Sequence, residues 1–350
     1  MGKIVPPDMV SPFDRLTYAA RQTARVAWYA GHYAAGRRLL KPLPKPDFPV
    51  GPVPGRAELT ADLRGLFERE WQDIAAGLFA APTLPGPDPA ELLRRSALYF
   101  RDLPKVDARR HGGINDEPNR DDANGHLPRY YRQNFHFQSG GWLTEESAAI
   151  YDTQVEVLFT GAADAMRRRA LKPIAEWLQG RNQRELRGLD VGCGTGRLLA
   201  FLHGAWPGLR LTGIDLSAPY LEEARRLIGR TARVKLEEAA AEVLPFDDSS
   251  LDLVVSSFLL HELPKKVRPE VLAEMARVVK PGGLVVIVDS IQKGDKPDWD
   301  GLLDLFPYYF HEPYYTEYVG GSVEGWCESV GLKPVAIERA FLSKVAAFTK

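Results

Sequence analysis

The feature that most constrains this chain is a change of texture after Glu185. From there, short runs rich in Leu, Val and Ile (Leu186 to Val191, Leu209 to Ile214, Val234 to Leu236, Leu251 to Ser257, Leu284 to Asp289) alternate with stretches of helical periodicity. Strands that alternate with helices run parallel, because each crossover helix returns the chain to the same end of the sheet and covers one of its faces. Two further strands, Leu332 to Arg339 and Lys344 to Phe348, are joined by a turn too short for a crossover, so the last one runs antiparallel. The expectation is a doubly wound α/β sheet of seven strands, mostly parallel, with a helical N-terminal extension.

That extension begins with a helical pattern over residues 13–40, in which Leu16, Ala19, Thr23, Ala27, Ala30 and Ala34 fall on one narrow stripe. Arg21, Arg25 and Trp28 lie away from the stripe, so the helix lacks the polar and apolar halves of a membrane-surface helix. Small residues suit close helix-on-helix packing, and a second copy of the chain, a homodimer through the N-terminal helices, is one candidate for the partner.

Six of the sixteen residues from Lys41 to Arg56 are proline, which predicts an extended linker or strap. A helix around Leu59 to Leu78, a second proline cluster (Pro82, Pro85, Pro87, Pro89) and a shorter helix over 90–101 follow. Residues 111–126 have almost no apolar content and read as a mobile loop. Tyr130, Tyr131, Arg132, Phe135, His136, Phe137 and Trp142 then interleave rings and bases, which is read as a segment laid across the main domain in preference to a nucleotide-stacking surface. Thr144 caps a helix over 145–160, and another spans 162–179. The division expected is an extension over 1–144 and a catalytic domain over 145–350.

Charge and cysteine content narrow the function classes. The 350 residues carry 45 Lys+Arg and 46 Asp+Glu. Residues 1–45 hold eight basic and two acidic side chains, +6, which leaves −7 for the rest and argues against nucleic acid as a partner. Cys193 and Cys327 build no disulfide framework and lack metal-site spacing. The longest apolar run, Leu284 to Val288, is far short of the roughly 20 residues of a membrane helix. A cytoplasmic location without membrane insertion is expected.

The chemistry sits at the strand ends. The first strand closes in Leu189-Asp190-Val191-Gly192-Cys193-Gly194-Thr195-Gly196-Arg197, whose glycines let backbone approach a ligand at the sheet edge where open α/β folds bind. The spacing is G-x-G-x-G, unlike the G-x-G-x-x-G of dinucleotide sites. The second strand ends at Asp215, an acid suited to accepting both hydroxyls of a ribose, followed by Leu216. Ala241-Glu242-Val243-Leu244-Pro245-Phe246 supplies a loop for an adenine, and Val278 to Gly283 a helix stop and turn into the fifth strand.

In this order, the four motifs resemble those of class I S-adenosylmethionine-dependent methyltransferases, in particular the small-molecule branch that includes the ubiquinone and menaquinone biosynthesis enzymes. The likeness covers about residues 145–350 and implies a Rossmann-like sheet, S-adenosylmethionine as cofactor and methyl transfer to a small acceptor. It implies that Asp190, Gly192, Gly194 and Gly196 hold the methionine part, Asp215 the ribose, and Leu216 the adenine side. Where the family often has Asp two positions before the Glu of its third motif, this chain has Ala240, so adenine recognition falls to backbone at Ala241 and Glu242 or to Glu238.

For the acceptor, Ser257 to Glu262 follow the fourth strand and lack the [D/N]-P-P-[Y/F] of DNA base-amine methylation. Ser257 is expected at the cofactor, and His261 is the first candidate general base. The stretch 291–321 holds Trp299, Phe306, Tyr308, Tyr309, Phe310, Tyr314, Tyr315 and Tyr318, a density of rings that suits a planar or lipophilic acceptor methylated at oxygen or carbon. His311 inside it is the second candidate base. No metal is expected, since two histidines without a fixed acidic partner are thin evidence for one. The rival readings are a nicotinamide-dependent oxidoreductase using Asp215 on a ribose, and a methyltransferase-fold module that binds the cofactor without turnover.

Overall fold

The computed structural model describes residues 11–81, 88–120 and 125–350. Its sheet contains β1 Arg187–Val191, β2 Arg210–Asp215, β3 Val234–Glu238, β4 Leu251–Ser257, β5 Val279–Ser290, β6 Lys333–Ala340 and β7 Ser343–Thr349. Their order is β3-β2-β1-β4-β5-β7-β6. β1 to β5 are mutually parallel, and β7 runs antiparallel to both β5 and β6, as the tight connection after β6 requires. β5 begins earlier than the sequence suggests, and its pairing with β4 shifts register between Leu251 and Leu253 where Pro281 to Gly283 loop out. β1 pairs β2 on one side and β4 on the other, so the winding direction reverses between β1 and β4 and opens a crevice at their carboxyl ends.

The chain before the sheet forms α1 Pro12–Leu39, α2 Arg56–Ala75, α3 Pro89–Gly112, α4 Glu145–Leu158, α5 Ala163–Arg168 and α6 Leu171–Leu178. The single helix expected over 162–179 is two, because Pro173 has no N–H for the carbonyl of Arg169 and fits only in the first turn of a new helix. α3 runs past Arg101 to Gly112, through part of the segment read as a loop. Its polar length is anchored by buried acids: Asp102 accepts from Ser139 Oγ, and Asp107 accepts from Arg110 at 2.9 Å. Gly113, at φ 64, ends it. The second proline cluster lies mostly outside the described residues.

The face that α1 buries is not its small-residue stripe. Leu16, Ala19, Thr23, Ala27 and Ala34 are exposed, whereas Tyr18, Tyr29, His32 and Gly36 pack inward. Large rings remove more apolar area from water than alanines do, and their polar tips find partners. Tyr18 Oη donates to Glu70 at 2.6 Å, and His32 Nε2 meets Ser96 Oγ at 2.9 Å. Arg25, read as lying off the packing face, bonds Glu156 and Asp164 at 2.6 and 2.7 Å.

Crossover helices α7 Arg197–Ala205, α8 Ala218–Ile228 and α9 Val267–Val278 cover the sheet, and α10 Asp300–Tyr309, α11 Tyr315–Val319 and α12 Val323–Ser329 precede the final hairpin. The Pro-rich segment is a strap clipped to α10. Gly301 N–H donates to Pro52 O (2.8 Å), Gly51 N–H to Asp304 (2.9 Å) and Tyr308 Oη to Pro44 O (2.9 Å). A Cβ at Gly301 would stand 2.1 Å from Gly51 O. Gly301→Ala is therefore expected to lift the strap and cost about 1–3 kcal/mol. Limited proteolysis within residues 41–56 reads the release, and an unchanged cleavage rate contradicts it. Among the described residues, no helix is long and apolar enough to cross a membrane.

Candidate functional site

At the crevice between β1 and β4, Gly192, Gly194 and Gly196 all have positive φ (66°, 53° and 76°), a backbone that side chains with Cβ seldom adopt. The loop curls over the end of β1 and opens α7. Asp215, at the tip of β2, accepts the N–H groups of Gly194 and Ser217, each at 2.8 Å, which ties the two strand ends together. Beneath the loop, Asp190 is fully buried, and among the described residues neither carboxylate oxygen has a partner in hydrogen-bond geometry. Burial, reinforced by the Asp215 charge, pushes its pKa up to about 8.

These groups border a narrow crevice, partly open to solvent and walled by Gly192, Gly194, Asp215, Ser257, Phe258 and Glu262. Phe258 holds a positive φ of 56° directly after β4, strain of the kind retained where the surroundings fix a residue at a site. Arg167, over the Phe258 ring at 4.8 Å, brings a cation to the same wall. Cys193 is buried, and burial holds its thiol well above the ordinary range, so it stays neutral packing.

Of the residues expected at a cofactor, Gly192, Gly194, Asp215 and Ser257 line this cavity and Asp190 lies beneath it. Gly196 instead packs against α8, where a Cβ would meet Ala224 at 2.9 Å. Leu216, Ala241 and Glu242 are not on its wall. Glu242 accepts from Tyr130 Oη. Tyr131 Oη reaches Asp215 at 3.4 Å, and Trp142 O accepts from Ser217 Oγ at 2.6 Å. The aromatic-basic stretch is thus laid across the edge of the cavity, with Trp142 stacked on Phe135 at 3.9 Å.

Neither His261 nor His311 is on the cavity wall; Glu262 is. His261 Nδ1 meets Asp289 Oδ1 at 2.5 Å and its Nε2 lies 3.5 Å from Glu262. Burial opposes its charge, but the two carboxylates outweigh burial and raise its pKa well above the usual imidazole value. His311 Nε2 is held by Gln133 at 2.9 Å, and burial lowers its pKa. Burial and the nearby Glu312 raise Glu262 strongly. The imidazole facing Glu312 is that of His136, 2.8 Å away. The sequence offers no signal for Arg167 and places His136 only in the aromatic-basic segment; the adjacency of His-Glu pairs at 261–262 and 311–312 is its signal for Glu262 and Glu312.

Residues 189–283 match the family model described as a methyltransferase domain. The chain carries a class I S-adenosylmethionine-dependent methyltransferase domain. The demethylmenaquinone methyltransferase of Staphylococcus aureus is 40% identical over 105 residues, which is 30% of this chain and 43% of the relative. The chain thus spans less than half the length of the curated relatives it matches. Among solved structures, a SAM-dependent methyltransferase from Aquifex aeolicus is 21% identical over 51% of this chain and 88% of its own (TM-score 0.38). An O-methyltransferase family 2 protein from Planctomyces limnophilus, in complex with apigenin, is 20% identical over 59% and 61% (TM-score 0.47). The family of the domain implies S-adenosylmethionine as its cofactor.

Proposed function

We propose that the whole chain transfers a methyl group from S-adenosylmethionine to a small aromatic or lipophilic acceptor, at oxygen or carbon. The observation that carries this reading is the unpartnered Asp190 carboxylate, buried under the glycine loop beside a cavity whose wall carries Asp215 and Arg167. An ammonium is the partner Asp190 lacks, and a carboxylate is the partner Arg167 can take; the methionine part of the cofactor bears both. Asp215 would hold the ribose. Leu216, Ala241 and Glu242 would border the adenine once Tyr130 and Tyr131 make room. The bound cofactor supplies an electrophilic methyl on a sulfonium, so the chain's task is to align the acceptor and exclude water. Tyr151, Phe258 and Leu259 wall the remaining volume with apolar surface. His261 would act through Glu262, as a positioning residue, and His311 by fixing Gln133.

In this reading residues 145–350 form the catalytic domain and 1–144 close the cavity edge; no ring of 291–321 is on the cavity wall, so that stretch would reach the acceptor only from behind Glu262. The exposed stripe of α1 is where the expected homodimer would form, and a monomeric mass by light scattering removes that expectation.

Calorimetry with S-adenosylhomocysteine and with NAD tests the reading. Binding of the first and not the second is expected; the reverse favours a nicotinamide enzyme. The pKa of Asp190 adds a sign. With a value of about 8, the free protein holds the proton at neutral pH, and pairing with an ammonium expels it. Affinity should therefore rise with pH up to about 8, with proton release seen as a dependence of binding heat on buffer. Asp190→Asn should abolish the release, and a release that persists in that variant contradicts the role.

A further inference from the structure

Behind the cavity wall, three potential ligand atoms from distant parts of the chain converge. One nitrogen of His136 and one oxygen each of Glu262 and Glu312 lie within 4.8 Å of one another. Both glutamates are more than nine-tenths buried, and among the described residues no group in hydrogen-bond geometry donates to either oxygen of Glu312 or to Oε2 of Glu262. His136 Nε2 is 2.8 Å from Glu312 Oε1 but is not aligned for an N–H···O bond.

The cluster is held from outside. His136 N–H donates to His311 O at 3.1 Å, and His136 and Phe137 keep positive φ of 53° and 56°. Such a backbone persists only where its surroundings fix it. The turn bearing Glu262 is clamped by Arg268, which donates to Leu260 O and Leu263 O, each at 2.9 Å, and by Asp289, which accepts from Leu260 N–H at 2.8 Å.

Two adjacent buried carboxylates with bare oxygens are costly unless a cation or a proton stands between them. We propose that His136, Glu262 and Glu312 hold a divalent first-row transition cation, with an open position facing the cavity that ligates an oxygen of the acceptor. One imidazole and two carboxylates suit Mn²⁺, Fe²⁺ or Zn²⁺, and three protein ligands with a vacant position are the pattern of catalytic sites. Glu262 also lines the cavity, which places that position beside it. The acceptor class is then narrowed to one with a phenolic or enolic oxygen. The cation site stands on the three side chains alone; only the assignment of its open position to the acceptor rests on the methyl-transfer reading.

The test uses the full chain, freed of metal by chelation and titrated with Mn²⁺ by electron paramagnetic resonance, with Zn²⁺ as competitor and S-adenosylhomocysteine calorimetry in parallel. One Mn²⁺ site displaced by Zn²⁺ is expected. His136→Ala and Glu312→Gln should each weaken it by at least roughly 100-fold while S-adenosylhomocysteine binding is retained. Should a variant fail to fold, the absorption spectrum of Co²⁺ bound to the unmodified chain decides, since nitrogen-oxygen coordination gives it a characteristic ligand-field band. An unmodified chain that binds neither Mn²⁺ nor Zn²⁺ overturns the proposal and leaves the glutamates sharing a proton only. Equal binding in both folded variants also overturns it. If Mn²⁺ binds and S-adenosylhomocysteine does not, the cation site stands and the methyl-transfer reading fails.

Discussion

Replacing Asp164 by alanine is expected to cost about 3–5 kcal/mol of stability, the penalty of leaving buried cations without their counter-charge. Asp164 is a junction. It pairs Arg25 of α1 at 2.7 Å and Arg197 at the start of α7 with both nitrogens of its fork, and Arg167 lies 3.5 Å away. Burial would raise its carboxyl, but Arg197 and then Arg25 outweigh burial and hold it well below the carboxylate range. A folded-state pKa below the unfolded one gives stability that is complete above the unfolded value near 3.8 and is lost as acid protonates the group. Chemical denaturation at neutral pH should show the full loss in Asp164→Ala, and the difference from the unmodified chain should shrink only in strong acid. Because Arg197 opens the helix that follows the glycine loop, the variant should also weaken cofactor binding. A stability change under about 1 kcal/mol would show that the junction is dispensable.

Asp215→Ala should weaken S-adenosylhomocysteine binding by about 100-fold, or about 3 kcal/mol, the loss of two hydrogen bonds from ribose hydroxyls to a charged acceptor. The substitution also frees the N–H groups of Gly194 and Ser217 that the carboxylate now ties together. Calorimetry reads the affinity, and a thermal melt separates loop disorder from lost contacts. Asp215→Asn, which keeps one acceptor and the side-chain volume, should fall between the two. Affinity unchanged in Asp215→Ala would remove the ribose from β2.

What the sequence discloses here is what is encoded locally. Strands β1 to β5 and the G-x-G-x-G turn are legible because alternation and glycine spacing are properties of neighbouring residues. The length of α3 is not, because its polar run past Arg101 is stabilised by Asp102 against Ser139 and by Asp107 against the Lys41 N–H, partners far along the chain that burial selects. The inward face of α1 is hidden for the same reason: alanines at helical spacing suggest packing, yet Tyr18 and Arg25 gain more from Glu70, Glu156 and Asp164, far along the chain. At the site, the glycine spacing marks Gly192 and Gly194 and the strand end marks Asp215, all on the cavity wall, whereas Glu262, and not His261, reaches that wall. Which of His261 and Glu262 faces the cavity depends on a one-turn 3-10 helix over Leu260–Glu262 that no periodicity announces. The meeting of His136 with Glu312 depends on a backbone bond between two loops more than 170 residues apart.

The most direct measurement is a crystal structure of the full chain with S-adenosylhomocysteine. It is expected to show the ribose hydroxyls on Asp215, the amino group against Asp190, and the sulfur facing the volume bordered by Phe258 and Glu262. A ligand that leaves Asp215 and Asp190 untouched, or a sulfur turned away from Glu262, would contradict the assignment of this crevice as the methyl-transfer site.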